Sequence, residues 1–266
     1  MSDTYEVSPF AEPYRAVGSD AAHPGRATTG VALLHGITGN PCSLRPLAEL
    51  LVSSGFRVDL PRLPGHGTHP KDMARTRYAD WRAEALATVD RLAASSARVV
   101  LVGLSMGGAL ALDVASSGER AIAGVVSINA QLLDRGGVAV KLAPLLEHVL
   151  PLAPAKLAGL KKDDIARPGV TEHAYDWMPT AAGNSFLREL PRIREQLARL
   201  RCPLLVARAP QDHSVPPANS LALLELVPKA KELVLERSYH VATLDYDLEL
   251  LARHVVEFSD ELVATQ

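Results

Sequence analysis

The sequence is poor in cysteine and carries almost no net charge. Its 266 residues contain two cysteines, Cys42 and Cys202, in neither a CxxC nor a CxxH pattern. This spacing favours two free thiols and is unlike a disulfide framework or a zinc site. The formal charge is −2, and no block of like charges occurs. A nucleic-acid partner is not expected, because phosphates require a basic face.

The sequence also has no long apolar run and no nucleotide-binding motif. No stretch approaches the ~20 apolar residues that span a bilayer, and the most apolar one, 98–112, is interrupted by three glycines. The first residues, MSDTYEVSPF, are polar and acidic, unlike the apolar core of a secretory signal. We therefore expect a cytoplasmic protein without stable membrane insertion. The absence of a GxGxxG turn and of a Walker A lysine gives no indication of a nucleotide.

Short apolar runs alternate along the chain with longer segments of helical period. The runs lie at 30–36, 56–63, 98–103, 122–129, 203–209 and 231–237. This alternation predicts an α/β fold with a parallel sheet that is covered by helices on both faces. Residues 1–29 are predicted to form a loose segment or an edge strand.

The alternation is interrupted between residues 130 and 202. This part is rich in proline and contains a Leu-rich stretch, 138–154, with apolar residues on one helical face. A loop of this length without structure is rare in a compact domain. We predict a small helical cap insert at 131–190 within a single domain of residues 1–266, the alternative being ordinary crossover helices that pack on the core.

The sequence 103-GLSMG-107 places Ser105 between an apolar strand and a helical segment. In this strand–turn–helix context, G-x-S-x-G is typical of a nucleophilic serine on a sharp turn. Gly103 and Gly107 leave room for that turn, and the N–H groups of the following helix favour developing negative charge. We expect Ser105 to be the nucleophile.

A serine nucleophile requires a base and an acid that orients the base. In the expected chain order of Ser, then Asp or Glu, then His, the base that fits best is His240, which follows the run 231–237. The acid is predicted to be Asp212, after the run 203–209, with Asp134 and Asp245 as rivals. His213 is predicted to be a structural or surface residue.

The segment 35-HGITG-39 follows the first strong strand and is suited to donate a backbone N–H to an oxyanion. The predicted donors are the N–H groups of Ile37 and Met106, whereas His35 is expected to brace the loop. His66 and His69, with Asp72 nearby, lack a convincing third metal ligand. We therefore predict neither a metal nor a cofactor.

The chain resembles the α/β-hydrolase superfamily, and within it bacterial monoacylglycerol lipases and small carboxylesterases. The motifs, in family order, are HGITGNP at 35–41, GHGTHP at 65–70, GLSMGGALAL at 103–112, INA at 128–130, QDHSVPP at 211–217 and YHVATLD at 239–245. The resemblance implies an α/β-hydrolase fold, a Ser105–Asp212–His240 triad, and oxyanion donors at Ile37 and Met106.

The resemblance extends to 169-GVTEHAY-175, where the lipases carry a glutamate that holds the glycerol hydroxyls. It implies that Glu172 binds substrate here, the alternative being a surface glutamate on a cap loop. The sequence departs from the family pattern in two places. Ile37 stands where relatives often have Phe, and residues 131–170 match poorly, so that acyl-length preference does not transfer.

The expected function is hydrolysis of carboxylic esters, with monoacylglycerols as the leading small-molecule substrate. The alternatives are a general carboxylesterase without glycerol preference, a thioesterase or amidase, and a non-catalytic receptor with a hydrolase fold. Because the predicted cap is apolar, a homodimer that forms through the cap is a further expectation.

Overall fold

The computed structural model describes residues 4–133, 147 and 150–264. In this part of the chain the main sheet has seven strands: β1 (Tyr14–Val17), β2 (Thr29–Leu34), β3 (Arg57–Leu60), β4 (Arg98–Leu104), β5 (Gly124–Ile128), β8 (Leu204–Arg208) and β9 (Lys231–Val234). Their order is β1-β3-β2-β4-β5-β8-β9. Six strands are parallel and correspond to the six predicted apolar runs. β1, from the N-terminal segment, pairs antiparallel with β3 at the edge.

Helices cover both faces of this sheet. The α-helices of the described residues are α1 (Pro24–Ala27), α2 (Arg45–Ser53), α3 (Pro70–Met73), α4 (Tyr78–Ala93), α5 (Met106–Ser117), α6 (Thr180–Leu187), α7 (Leu190–Gln196), α8 (Ala218–Leu226) and α9 (Leu248–Ala264). Side chains alternate between the faces of a strand. Ala32 and Leu34 of β2 accordingly pack with α4 and α5, whereas Val31 and Leu33 pack with α2 and α9. The parallel sheet is therefore buried on both faces.

The predicted cap insert contains a small sheet in addition to helices. β6 (Leu152–Pro154) pairs antiparallel with β7 (Trp177–Pro179), and α6 and α7 follow. Sequence reasoning predicted only helices, because three-residue strands that include prolines give no alternating pattern. Most of the Leu-rich stretch 138–154 lies outside the described residues, and the division into one domain with an insert at 131–190 stays a prediction.

The parallel strands bring their carboxyl ends to one edge of the sheet. The loops that follow β2, β4, β5, β8 and β9 therefore meet there, and ligands of open α/β sheets bind at this edge. None of the helices within the described residues combines the length and the apolarity needed to cross a bilayer.

Candidate active site

Ser105 lies at the turn between β4 and α5 in a strained backbone conformation. Its φ of 58° and ψ of −120° lie outside the regions that side-chain-bearing residues ordinarily adopt. A Cβ atom on Gly103 would lie 2.1 Å from the carbonyl oxygen of Gly107, and one on Gly107 would lie 1.9 Å from that of Leu34. Both distances are shorter than any van der Waals contact. The two glycines are therefore a steric requirement of this turn, as the sequence predicted.

Asp212 and His240 lie side by side beyond the ends of β8 and β9. The Nδ1 atom of His240 is 2.7 Å from Oδ2 of Asp212, and both residues are buried. The other carboxylate oxygen, Oδ1, accepts hydrogen bonds from the backbone N–H groups of Ser214 at 2.8 Å and Val215 at 2.7 Å. The carboxylate is thus fixed in position, and Nδ1–H of the imidazole donates to it. Nε2 is left as the nitrogen that can accept a proton.

The electrostatic surroundings of His240 favour its protonated form. Burial lowers the pKa of the imidazole, but the charge of Asp212 and its hydrogen bond, with smaller contributions from Glu172 and Asp164, raise it overall above its ordinary value. An imidazolium that forms at this position is consequently stabilised.

Of the two rival acids, Asp245 is engaged elsewhere. The carboxylate of Asp245 accepts four backbone N–H groups, those of Ala166, Arg167, Tyr239 and Tyr246, at 2.7–3.0 Å. It therefore joins the cap segment 166–167 to the loop that carries His240. Asp134 lies outside the described residues.

His213 bonds to the cap and not to the Asp212–His240 pair, in agreement with its predicted structural role. Its Nδ1 atom lies 2.8 Å from Oδ1 of Asp164, a buried carboxylate of the cap. His35 behaves as the predicted loop brace. Its Nδ1–H donates to the Gly36 carbonyl at 2.9 Å, and its Nε2 accepts from the Leu63 N–H at 3.1 Å. Burial lowers the pKa of His35 well below its ordinary value, so that this ring stays neutral.

Ser105, His240 and Glu172 line one cavity at the carboxyl edge of the sheet. Its other lining residues come from the loop after β2, the end of β4, the cap and the loop after β8, and they are Gly36, Ile37, Thr38, Leu104, Ala155, Leu160, Lys161, Lys162, Ala174, Tyr175 and Ser214. Ile37 therefore lies at the cavity, as predicted. Met106 is the first residue of α5, where a backbone N–H has no acceptor within the helix. The arrangement brings a strained serine, an acid-bound histidine and the N-terminus of α5 to one place.

Glu172 enters the cavity from the cap and is tied to the loop after β2. The Asn40 amide donates to the carbonyls of Glu172 at 3.2 Å and His173 at 3.0 Å. Desolvation by burial raises the pKa of the Glu172 carboxyl to about 7, and the positive charge of His240 opposes part of that rise. No donor from the described residues contacts this carboxyl group, which leaves its oxygens free for a ligand.

Sequence reasoning assigned no role to Asn40 and Asn129. Asn129, directly after β5, adopts a φ of 45°. Its amide donates to the His240 carbonyl at 2.8 Å and accepts from the Ala209 N–H at 2.8 Å. It thereby connects the loop of the predicted acid to that of the predicted base. A polar residue at the carboxyl end of a buried strand was the signal that could have indicated this role.

The remaining candidates for metal or thiol chemistry do not converge. Within the described ranges no three His, Cys, Asp or Glu side chains are grouped as metal ligands. Buried His66 donates to the Pro64 carbonyl at 3.0 Å, whereas His69 stacks on Tyr5. Cys42 and Cys202 are free and half-buried.

The fold and the arrangement of the site are those of an alpha/beta hydrolase. The chain belongs to the alpha/beta hydrolase family, whose model matches residues 31–254. It is 38% identical over 260 residues to the thermostable monoacylglycerol lipase of Bacillus sp. (strain H-257), with 97% of this chain and 98% of the relative covered. It is 25% identical over 257 residues to a carboxylesterase of Bacillus subtilis (strain 168), with 94% and 97% covered.

Solved structures of lipolytic enzymes share this architecture. A structure from work on two metagenome-derived lipolytic enzymes, LipS and LipT, superimposes with a TM-score of 0.86 at 34% identity, covering 96% of this chain and 100% of that one. The monoacylglycerol lipase of Paleococcus ferrophilus gives a TM-score of 0.77 at 23% identity, covering 94% and 99%, and this likeness concerns the fold alone. The predicted family and fold class are confirmed.

Proposed function

We propose that this chain hydrolyses carboxylic esters, and monoacylglycerols in particular, through an acyl-enzyme on Ser105. The observation that carries the proposal is the convergence in one cavity of Ser105, on its strained turn, and His240, held by Asp212 at 2.7 Å. The similarity to a monoacylglycerol lipase over nearly the whole chain supports the choice of substrate.

In the acylation step, Oγ of Ser105 attacks the ester carbonyl carbon while Nε2 of His240 takes the hydroxyl proton. Asp212 keeps the proton of the ring on Nδ1 and stabilises the imidazolium. When the tetrahedral intermediate collapses, the bond to the alkoxy oxygen breaks and His240 returns its proton to that oxygen. Glycerol leaves, and the acyl group remains on Ser105.

In the deacylation step, water replaces glycerol. His240 removes a proton from the water, the hydroxide adds to the acyl carbon, and the bond to Oγ of Ser105 breaks. The serine regains its proton from the imidazolium, and a free fatty acid leaves. Both tetrahedral intermediates carry negative charge on the former carbonyl oxygen, for which the N–H groups of Ile37 and Met106 are the proposed donors.

Glu172 is the proposed binding residue for the glycerol part of the substrate. Its oxygens face the cavity without a protein donor among the described residues, and a carboxylate can accept hydrogen bonds from two hydroxyl groups. With a pKa of about 7, the group can also donate when it is protonated. A simple alkyl ester offers no hydroxyl group to this side chain.

Replacing Glu172 tests the substrate assignment. Glu172→Ala should reduce kcat/KM for a medium-chain monoacylglycerol by about tenfold or more, because a hydrogen bond to a charged group contributes about 1.5–3 kcal/mol. Turnover of the methyl ester of the same acid should change little. Glu236→Ala, at an exposed position, serves as the control. Equal losses on both esters would reject glycerol recognition and assign the chain as a general carboxylesterase.

Two further predictions concern the surroundings of the enzyme. Leu150, Leu157 and Trp177 on the cap are exposed apolar residues, which supports the proposed homodimer through the cap. The molar mass in light scattering tests it, and a monomer at all concentrations would reject it. A cytoplasmic location stays a prediction.

A further inference from the structure

Asp164 is a buried carboxylate of the cap that contacts both catalytic loops. It has no exposed side-chain surface. Its Oδ2 atom accepts from the backbone N–H of His213 at 2.8 Å, next to Asp212. Its backbone carbonyl accepts from the N–H of Val241 at 3.1 Å, next to His240. One residue therefore joins the loop of the acid to the loop of the base.

The charge on Asp164 is only partly balanced. Nζ of Lys161 lies 2.9 Å from Oδ1 of Asp164, and the lysine side chain is 52% exposed. Lys161 and His213 hold the pKa of the Asp164 carboxyl below its usual range, although burial opposes this. Asp164 is accordingly ionised at neutral pH.

The carboxylates that raise the pKa of His240 come from two sides of the site. Asp212 contributes from the loop after β8, and Glu172 and Asp164 contribute from the cap. Lys161 and Lys162 line the same cavity, but Lys162 is paired with exposed Asp176 at 2.8 Å. Asp164 is thus the one of these carboxylates for which the mechanism gives no role.

We propose that Asp164 is a positioning residue of the catalytic site, which fixes the loops of Asp212 and His240 against the cap and adds its negative charge to the surroundings of the imidazolium. Its importance for catalysis rests on the proposed role of His240 as the base. During acylation and deacylation His240 carries a positive charge, and the charge of Asp164 stabilises that state more than the neutral one.

The experiment measures the titration of the His240 imidazole by NMR and the pH profile of kcat/KM on a nitrophenyl ester. Asp164→Asn keeps the shape of the side chain and removes its charge. We expect the pKa of His240 and the acidic limb of the profile to move down by about 0.5 pH unit, and kcat to fall about threefold, which is the same free energy expressed as a rate.

A variant of opposite sign and a matched control make the test specific. Lys161→Gln removes the cation that is paired with Asp164, and Lys162→Gln removes the other lysine of the cavity. Both should move the pKa of His240 upward, and Lys161→Gln should move it further, because only this variant also leaves the charge of Asp164 without its lysine partner. Asp176→Asn removes an equal charge from a cap carboxylate that is also paired with a lysine, and it should leave the titration unchanged.

The proposal is overturned if the titration of His240 in Asp164→Asn equals that of the wild type, whatever the loss of Tm. An equal shift in Asp176→Asn would also overturn it. If Asp164→Asn does not fold, a shift in Lys161→Gln that is no larger than the shift in Lys162→Gln overturns it instead. Because NMR observes the ring directly, these outcomes are independent of ester hydrolysis. Activity that survives in Ser105→Ala would instead reject the proposed function.

Discussion

The raised pKa of Glu172 predicts that this carboxylate destabilises the fold at alkaline pH. In the unfolded chain the group should ionise near its ordinary pKa of 4.5, whereas in the folded protein it ionises at about 7. Below both pKa values the carboxyl is neutral in the folded and in the unfolded chain, and it does not lower the free energy of unfolding. As the pH rises through this window, the folded state binds the proton more tightly than the unfolded state, and stability is lost. Above pH 7 the loss is complete.

The magnitude follows from the width of that window. Each pKa unit corresponds to about 1.4 kcal/mol, which gives about 3 kcal/mol at most. Because Glu172 is only partly buried, solvent screening reduces the expected value to about 2 kcal/mol. Glu172→Gln removes the charge at every pH. For a chain of this size it should raise the apparent Tm by about 4–8 °C at pH 8.5.

The assay is thermal unfolding at a fixed scan rate, followed by circular dichroism at about pH 5 and pH 8.5. The difference between the two Tm changes removes any effect of altered packing around the amide, because that effect does not depend on pH. Glu236→Gln, at an exposed glutamate, controls for the loss of one negative charge. An equal change of Tm at both pH values in Glu172→Gln would refute the reasoning.

Two further predictions concern the framework of the site. Gly107→Ala should abolish activity and impair folding, because its Cβ would lie 1.9 Å from the Leu34 carbonyl oxygen. The control Gly118→Ala, with no described atom within 4 Å of its Cβ, should lower the free energy of unfolding by only about 1 kcal/mol, because of its left-handed backbone. An active and stable Gly107→Ala variant would contradict this reasoning. Asp245→Ala should lower the free energy of unfolding by about 3 kcal/mol or more, because four backbone N–H groups lose their acceptor. Urea unfolding measures this change. Unchanged stability would contradict the prediction and show that water replaces the carboxylate.

The sequence was sufficient to predict the main sheet and the residues at its carboxyl edge. Buried parallel strands are continuous apolar runs, and each places the next polar residue at the same edge, which is why Ser105, Asp212 and His240 could be proposed from the sequence as the catalytic residues. The glycines beside Ser105 were predictable for the same local reason, because the turn leaves no space for a Cβ.

The hydrogen bonds between segments that are distant in sequence could not be predicted. Asn40 contacts the Glu172 carbonyl across 132 residues, and Asn129 contacts the His240 carbonyl across 111. Asp164 and Asp245 similarly hold the cap to the catalytic loops. Such bonds depend on the three-dimensional path of the cap, and an Asn or Asp in a loop is equally compatible with a solvated turn.

Steady-state hydrolysis of a medium-chain monoacylglycerol, by the wild type and by Ser105→Ala, tests the central proposal most directly. We predict clear turnover by the wild type, faster than that of the methyl ester of the same acid, and no turnover above background by the folded variant. Activity that persists in Ser105→Ala would contradict the proposed nucleophile and, with it, the mechanism.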